Sequence, residues 1–235
     1  CTRLTKILLL KRYSKLKRMR MISKNVYFIT GIDTDAGKSI VTGVLARDMR
    51  ARGERVITQK FIQTGNTGIS EDIELHRRIM GIPLQREDLD GTTCPITFTY
   101  PASPQLAAEI DNREIDLSLV EKSTGKLLES YDTVLLEGAG GLFVPLTDTY
   151  STIDYIADHR LPVILVTSPR LGSINHTVLS LEACRARNIE VAELVYNLYP
   201  PTSREITEDT RRYLKQYLNR TYPNAGFTEI GMQDV

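Results

Sequence analysis

The sequence predicts an α/β fold built on one doubly wound, mostly parallel β-sheet. Short runs rich in β-branched residues alternate with amphipathic helical patterns from residue 26 to about residue 220. The runs are almost continuously apolar, which is typical of strands that helices cover on both faces. No Ser-, Pro- or Gly-rich linker and no internal repeat interrupts the alternation, so we expect a single domain over residues 25–235.

Five strands and five main helices are predicted in alternating order. The strands cover residues 26–30, 55–58, 133–136, 162–167 and 191–196. Apolar residues three or four apart predict helices over residues 38–52, 73–80, 117–128, 174–184 and 203–219. Because the strands are predicted to be parallel, we expect ligands at their carboxyl ends.

Local patterns predict where some of these helices begin and end. Gly53 is the expected stop of the first helix, and Thr202 has capping-box spacing to Glu205 at the start of the last. The last helix is expected to bury four residues: Ile206, Tyr213, Leu214 and Tyr217. Residues 81–116, with a short helix from Ser103, are the least regular stretch and are expected to pass over the active face.

The composition excludes several classes of protein. Of the 235 residues, 41% are hydrophobic and 25% are charged, which is ordinary globular usage. The apolar runs are far shorter than the roughly 20 residues that cross a bilayer. Residues 1–24 hold nine Lys or Arg and no acid, which leaves 21 basic against 29 acidic residues in the rest of the chain. An acidic body is a poor nucleic-acid surface, so we expect neither nucleic acid nor membrane as a partner.

The basic segment 1–24 has two interpretations. It is either a non-native upstream extension, with Met19 or Met21 as the true start, or a disordered basic tail. The three cysteines are too few and too far apart for a disulfide framework or a zinc site, so we expect a cytoplasmic protein. Cys94 and Cys184 are interpreted as small buried residues.

The clearest chemical pattern follows the first predicted strand. Residues 30–39 are TGIDTDAGKS and run directly into a helix. Backbone N–H groups at a helix N-terminus attract anions, Lys38 can reach the β- and γ-phosphates, and the Ser39 hydroxyl can hold magnesium. Five residues separate Gly31 from Gly37, one more than in the general pattern. The segment predicts a nucleotide phosphate loop, and an ordinary strand-to-helix turn is the alternative.

A second pattern is LLEGAGG at residues 135–141, where a hydrophobic strand ends in a carboxylate followed by glycines. Glu137 stands where a second metal ligand is needed beside Ser39. Magnesium prefers such oxygen donors and completes its shell with phosphate oxygens and water. The alternative is a solvated turn whose glycines adopt positive φ.

Polar groups follow the second and fourth predicted strands as well. Lys60 either faces the phosphate site or extends along the surface. Asp72 opens the next helix as a carboxylate that the helix dipole stabilises, and Glu71 beside it could play the same part. Residues 170–176, RLGSINH, begin another helix with Ser173 as its expected cap, either as an anion-binding end or as a plain cap. His76 and His159 are interpreted as surface helix residues, and His176 as a packed neighbour.

Five segments together resemble one known family. Residues 31–39, GIDTDAGKS, resemble the GTDTxxGKT loop of the dethiobiotin synthetases, including its five-residue spacing. Residues 60–65, 101–104, 137–141 and 171–176 resemble that family's KPxx(S/T)G, PxSP, EGAGG and LGxINH motifs in the same order. The resemblance covers about residues 26–200 and implies a P-loop NTPase-like ligase with ATP as co-substrate and Mg²⁺ as cofactor. Such a ligase joins CO2 to 7,8-diaminopelargonate, through a carbamate and a carbamic-phosphoric anhydride, to form the ureido ring of dethiobiotin in biotin biosynthesis.

The resemblance also implies roles for individual residues. The implied catalytic residues are Lys60, Lys38 and Thr34. ATP would be held by Asp35, Ala36, Gly37, Lys38, Ser39, Ile40, Asp72, Glu137, Gly138, Ala139, Gly140 and Asn197, the last of these against adenine. Magnesium would be held by Ser39, Asp72 and Glu137. The diamine or carbamate would be held by Thr34, Lys60 and Thr64, and its carboxylate by Ser173, Ile174 and Asn175 of a neighbouring subunit. A homodimer with an interface active site is therefore implied.

Two other functions compete with this one. A partner-regulated P-loop ATPase of the partitioning or septum-positioning type favours a second lysine near the start of the loop, where this chain has Gly31, Ile32 and Asp33. An amidoligase of cobalamin synthesis would carry a glutaminase domain, for which we expect no room in 235 residues.

Overall fold

The computed structural model describes residues 25–233, so both interpretations of segment 1–24 concern residues outside the described part. Six parallel strands form one sheet in the order β2-β3-β1-β4-β5-β6. The strands are β1 (Asn25–Gly31), β2 (Val56–Lys60), β3 (Thr133–Gly141), β4 (Val163–Thr167), β5 (Val191–Asn197) and β6 (Gly226–Ile230). The predicted α/β class with a parallel sheet is confirmed.

Helices connect the strands and flank the sheet. They are α1 (Lys38–Ala51), α2 (Glu71–Met80), α3 (Arg86–Leu89), α4 (Pro104–Ile110), α5 (Ser118–Ser130), α6 (Thr152–Asp158), α7 (Ser173–Ala186) and α8 (Arg204–Thr221). Among the described helices, none is long and apolar enough to span a membrane. The first helix stops as predicted, because Gly53 has a φ of 84° that an L side chain rarely adopts.

Both faces of the sheet are buried. Successive residues of a strand point to opposite faces, and Phe28 belongs to one apolar cluster while Ile29 belongs to another. Leu136 and Leu135 divide in the same way. The near-continuous apolar runs seen in the sequence are therefore explained by helices packed on the two sides of β1 and β3.

Several local predictions need correction. Strand β6 was not predicted, because its five residues, GFTEI, form a partly exposed edge without a continuous apolar run. Helix α8 is capped by Ser203, whose side chain accepts a hydrogen bond from the Ile206 N–H, and not by Thr202. Tyr213 is 40% exposed and Ile206 is half-buried, whereas Leu214 and Tyr217 are buried as expected.

The irregular stretch 81–116 contains α3 and α4, and part of it runs beside the segment that follows β2. Thr97 forms an isolated parallel bridge with Gln63, and the N–H of Gly65 donates to the carbonyl of Tyr100. Cys184 is buried, but Cys94 is only partly covered. The connection thus covers the carboxyl end of β2, beside the predicted site.

Candidate active site

The phosphate loop lies between β1 and α1 and curls around a lysine. A short 3-10 turn, Thr34–Ala36, leads to Gly37, whose φ of 85° makes it the left-handed N-cap of α1. The Nζ of Lys38 donates hydrogen bonds of 3.1 Å to the carbonyl oxygens of both Asp33 and Thr34. Burial lowers the pKa of Lys38 to about 8, against the opposing effect of nearby Glu137. The loop therefore holds a cation in its concave side, as phosphate binding requires.

Three oxygen-bearing side chains meet beside this loop from three different elements. Ser39 lies in the first turn of α1, Asp72 in the first turn of α2, and Glu137 at the centre of β3. The Ser39 hydroxyl lies 2.8 Å from Asp72 Oδ1 and 2.9 Å from Glu137 Oε1. Asp72 is half-buried and oriented inward, whereas its neighbour Glu71 is exposed. The structure thus brings Asp72, and not Glu71, into contact with Ser39.

Lys60 joins this cluster because of the sheet register. Its Cα is paired with that of Glu137 on the neighbouring strand, where β2 ends and β3 continues. The Nζ of Lys60 lies 2.5 Å from Asp72 Oδ2 and 2.9 Å from Glu137 Oε1, and Lys60 is only 5% exposed. Burial alone would lower the pKa of Lys60, but Glu137 and Asp72 together raise it above its usual value. A surface lysine extending into solvent is excluded.

Glu137 is fully buried and is held ionised by its neighbours. Burial would raise the pKa of Glu137, but Lys60 and His76 hold it well below the usual value. Of the glycines that follow, Gly138 continues the strand, and a Cβ on it would lie 2.7 Å from the Phe28 ring. Gly140 alone of these residues has a positive φ, of 67°. The alternative of a solvated turn therefore fails for most of residues 137–141.

His76 contradicts its prediction as a surface residue. Its side chain is fully buried on α2, with Nε2 at 2.8 Å from Glu137 Oε2 and Nδ1 at 3.0 Å from Thr58 Oγ1. Residues four apart on a helix share a face, and His76 follows Asp72 by four. That spacing was the sequence feature that could have revealed it. His159 and His176 are both exposed, so the prediction of a packed His176 was wrong as well.

Asn197 closes the other side of the phosphate loop. It ends β5 and donates from Nδ2 to the carbonyls of Ala36 and Tyr199, at 3.1 and 3.2 Å. Its Oδ1 accepts from the Tyr199 N–H at 3.3 Å. A Cβ on Gly37 would overlap the Asn197 amide, so a glycine is needed there for packing as well as for φ. The structure brings Asn197 to the loop with its amide already paired to backbone.

The segment before α7 lies against the same loop. Arg170 forms an ion pair of 2.6 Å with Asp33, across two partly exposed side chains. The N-cap of α7 is Gly172, with a φ of 93°, and Ser173 is the buried first residue of the helix, not its cap. Ser173 Oγ instead lies 3.3 Å from Ser168 Oγ.

The remaining predicted substrate and nucleotide residues differ in exposure. Thr34, Asp35 and Asn175 are exposed; Ile40, Thr64, Ala139, Gly140 and Ile174 are half-buried; and Ala36 is buried. Gly140 borders the loop, since a Cβ on it would lie 3.8 Å from Thr34 Oγ1, within ordinary contact distance.

The donor set suits magnesium shared with a nucleotide. Within residues 25–233, no group of three or more His, Cys, Asp or Glu side chains could hold a metal without help. Ser39, Asp72 and Glu137 supply hard oxygen donors, and octahedral Mg²⁺ commonly takes its other ligands from phosphates and water. The residues therefore fit a metal that arrives with its nucleotide.

The structure combines a parallel sheet flanked by helices with a lysine-bearing phosphate loop after β1, and a hydroxyl and two carboxylates lie beside that loop. This combination defines a P-loop nucleotide-binding enzyme. The sequence accordingly matches the AAA domain family over residues 25–222. The chain is 52% identical over 210 residues to the ATP-dependent dethiobiotin synthetase BioD 2 of Pasteurella multocida. The aligned region covers 89% of this chain and 99% of that protein. It is 50% identical over 219 residues to the ATP-dependent dethiobiotin synthetase BioD of Chlorobaculum tepidum, covering 93% and 90% of the two chains. The chain belongs to the dethiobiotin synthetase family.

Among solved structures, the signal recognition particle receptor FtsY of Elizabethkingia anophelis covers 95% of this chain and 65% of its own. Its TM-score of 0.45 and its 15% identity are too low to carry an argument.

Proposed function

We propose that the chain catalyses the ATP- and Mg²⁺-dependent carboxylation and ring closure of 7,8-diaminopelargonate, which gives dethiobiotin, ADP and phosphate. One observation carries the proposal. A buried ammonium, that of Lys60, lies among Ser39, Asp72 and Glu137 beside a phosphate loop that has its own lysine, Lys38. Family membership at about half identity supports the same reaction.

The proposed reaction has three chemical steps. One amine of the substrate attacks CO2 and loses a proton, which gives a carbamate. A carbamate oxygen then attacks the γ-phosphorus of ATP, forming a carbamic-phosphoric anhydride and releasing ADP. The second amine attacks the carbonyl carbon and loses a proton, and phosphate leaves with the oxygen that bridged carbon and phosphorus. A carbamate and a polyphosphate repel each other, so the protein must mainly supply position and positive charge.

Each charged residue has a role in that task. Lys38 would bind the phosphates together with the backbone N–H groups of residues 35–40 and the glycines at 138–140. Ser39, Asp72 and Glu137 would hold Mg²⁺, which neutralises phosphate charge. Lys60 would stabilise the carbamate and the transferred phosphoryl group, since a buried cation acts more strongly there than in water.

The remaining contacts are assigned by family motif. Thr34 and Thr64 would bind the diamine or carbamate, and Asn197 would lie against adenine. Ser173, Ile174 and Asn175 of a second subunit would receive the substrate carboxylate, which requires a homodimer. A cytoplasmic location, expected from the cysteine content, belongs to the same proposal.

Phosphate release and dethiobiotin formation test the proposal together. Purified protein with ATP, Mg²⁺ and bicarbonate should release phosphate only when the diamine is added, with one dethiobiotin formed for each phosphate. Phosphate release without the diamine but stimulated by DNA or by lipid vesicles would instead support the partner-regulated ATPase, which family membership does not favour.

A further inference from the structure

We propose that His76 is a positioning residue that fixes the orientation of Glu137, so that a single carboxylate oxygen faces the phosphate loop and its metal ion. The inference rests on the proposed magnesium site and adds to it a residue outside the nucleotide and substrate motifs. Its basis is a buried network of hydrogen bonds that links Glu137 to the ion pair between Arg77 and Asp88.

The chain of hydrogen bonds begins at that ion pair. Arg77 donates from Nε and from one terminal nitrogen to the two carboxylate oxygens of Asp88, both at 2.8 Å, and both side chains are buried. The other terminal nitrogen of Arg77 donates to Thr58 Oγ1 at 2.8 Å. Thr58 Oγ1 lies 3.0 Å from His76 Nδ1, and His76 Nε2 lies 2.8 Å from Glu137 Oε2. A bidentate Arg–Asp pair has a fixed planar geometry, so it anchors the whole chain.

Counting protons along this chain assigns the direction of each hydrogen bond. Thr58 Oγ1 already accepts a hydrogen bond from Arg77. Among the described residues, its only other side-chain hydrogen-bond partner is His76 Nδ1. The one hydroxyl proton of Thr58 is therefore satisfied only if Thr58 donates to Nδ1. Nδ1 is then an acceptor, and the ring proton lies on Nε2, which donates to Glu137. The ring is thereby held at both nitrogens.

This arrangement divides the two oxygens of Glu137. Oε2 is occupied by His76, whereas Oε1 faces the Ser39 hydroxyl and Lys60, both at 2.9 Å. Without the donor on Oε2, a buried carboxylate would lack one of its partners and could rotate toward Lys60. Magnesium demands near-ideal octahedral geometry, so a carboxylate fixed in a one-oxygen orientation holds it better than a rotating one.

Helix α2 explains why these groups coincide. Ser70 caps the helix by accepting from the Ile73 N–H, and Asp72 and His76 then fall on the same face, one turn apart. One short helix thus presents a carboxylate to Ser39 and Lys60 and a ring nitrogen to Glu137.

The test compares His76→Leu with His76→Gln in the full chain. Leucine keeps most of the volume and removes the donor, whereas the glutamine amide can donate from near the position of Nε2. The primary measurement is the affinity for Mn²⁺ in the presence of ADP, read from the electron paramagnetic resonance of free Mn²⁺, which requires no turnover. We expect His76→Leu to weaken Mn²⁺ binding by about 10- to 100-fold and His76→Gln to stay within about 5-fold of wild type.

A matched control separates positioning from stability. Leu127→Ala removes a buried side chain from a separate apolar cluster with Ile57 and Val134, which contains none of the proposed site residues. It should lower the midpoint of thermal unfolding and leave Mn²⁺ affinity unchanged. In activity assays, His76→Leu should raise the Mg²⁺ concentration for half-maximal rate while the KM for the diamine changes by less than about 3-fold.

Each outcome decides the inference. Wild-type Mn²⁺ affinity in His76→Leu, or equal weakening in His76→Leu and His76→Gln, would overturn it, as would a wild-type protein that binds no Mn²⁺ with ADP. A wild-type protein that binds Mn²⁺ with ADP but makes no dethiobiotin would refute the proposed reaction alone. Weaker binding in His76→Leu would then still support the positioning role.

Discussion

Replacing Lys60 with methionine removes the cation that stands between two carboxylates. Methionine keeps an unbranched apolar side chain of similar length, so the change is largely one of charge. At an effective dielectric of about 20, an ion pair at the 2.9 Å separation from Glu137 is worth about 6 kcal/mol before desolvation is subtracted. Because Glu137 stays fully buried, the net loss should be close to the roughly 3–5 kcal/mol measured when one partner of a buried pair is removed.

The assay for this change is urea unfolding with EDTA present, accompanied by turnover and ATP binding. Turnover should fall about 100- to 1,000-fold, because a preorganised charge is lost at the reacting phosphoryl group. ATP affinity should stay within about 3-fold, since in the structure Lys38, and not Lys60, contacts the phosphate loop.

Arg55→Met is the matched control, because Arg55 pairs with Asp132 at 2.6 Å but both side chains are more than half exposed. An exposed pair of this kind is worth about 1 kcal/mol or less. A Lys60→Met protein that loses no more stability than Arg55→Met, or one that retains near-wild-type turnover, would refute the assignment of Lys60 to a buried charge cluster at the reaction centre.

Four further changes have defined outcomes. Lys38→Ala should weaken ATP binding by at least about 10-fold in calorimetry, since it removes the cation inside the loop, and unchanged affinity would count against the loop assignment. Gly37→Ala should also impair ATP binding, because the new Cβ meets the Asn197 amide at a φ of 85°; wild-type binding would show that the loop adjusts freely. Burial raises the pKa of Glu193 above 4.5, so the folded state retains a proton that the unfolded state loses, and stability should fall as pH rises from 4.5 toward the raised pKa. Glu193→Gln should flatten that dependence in urea unfolding, and an unaltered pH profile would exclude Glu193 as its source. Ser203→Ala should lower the free energy of unfolding by about 1 kcal/mol through the lost α8 cap, whereas Thr202→Ala should not; equal losses would contradict the cap.

The central strands were predictable from sequence because of their place in the sheet. Strands β1 and β3 lie inside the sheet, so both faces of each are covered and their sequences are continuously apolar. Edge strand β6 has no such pattern, because one side is exposed and its residues are of mixed polarity. Its pairing with β5 comes from the tertiary structure, and local sequence does not specify it.

The candidate site shows a similar division. The motif order predicted that Lys38, Ser39 and Glu137 would meet, because parallel strands bring their carboxyl ends to one edge. The family resemblance implied Asp72 rather than Glu71, but the contact of the Asp72 side chain with Ser39 depends on the rotation of α2 about its axis, which the residues alone do not specify. The burial of His76 was missed because a lone histidine on a helix is usually exposed. Only its one-turn spacing from Asp72 pointed inward.

The origin of the oxygen in the released phosphate tests the proposed chemistry most directly. If a carbamate oxygen attacks the γ-phosphorus, then ¹⁸O supplied in bicarbonate must appear in phosphate during turnover with the diamine, one labelled oxygen for each ring closed. The reaction is stopped before bicarbonate exchanges its oxygen with water, and mass spectrometry of the phosphate should then detect that label. Phosphate whose added oxygen comes only from water would contradict the account, because ATP would then be hydrolysed without a carbamate.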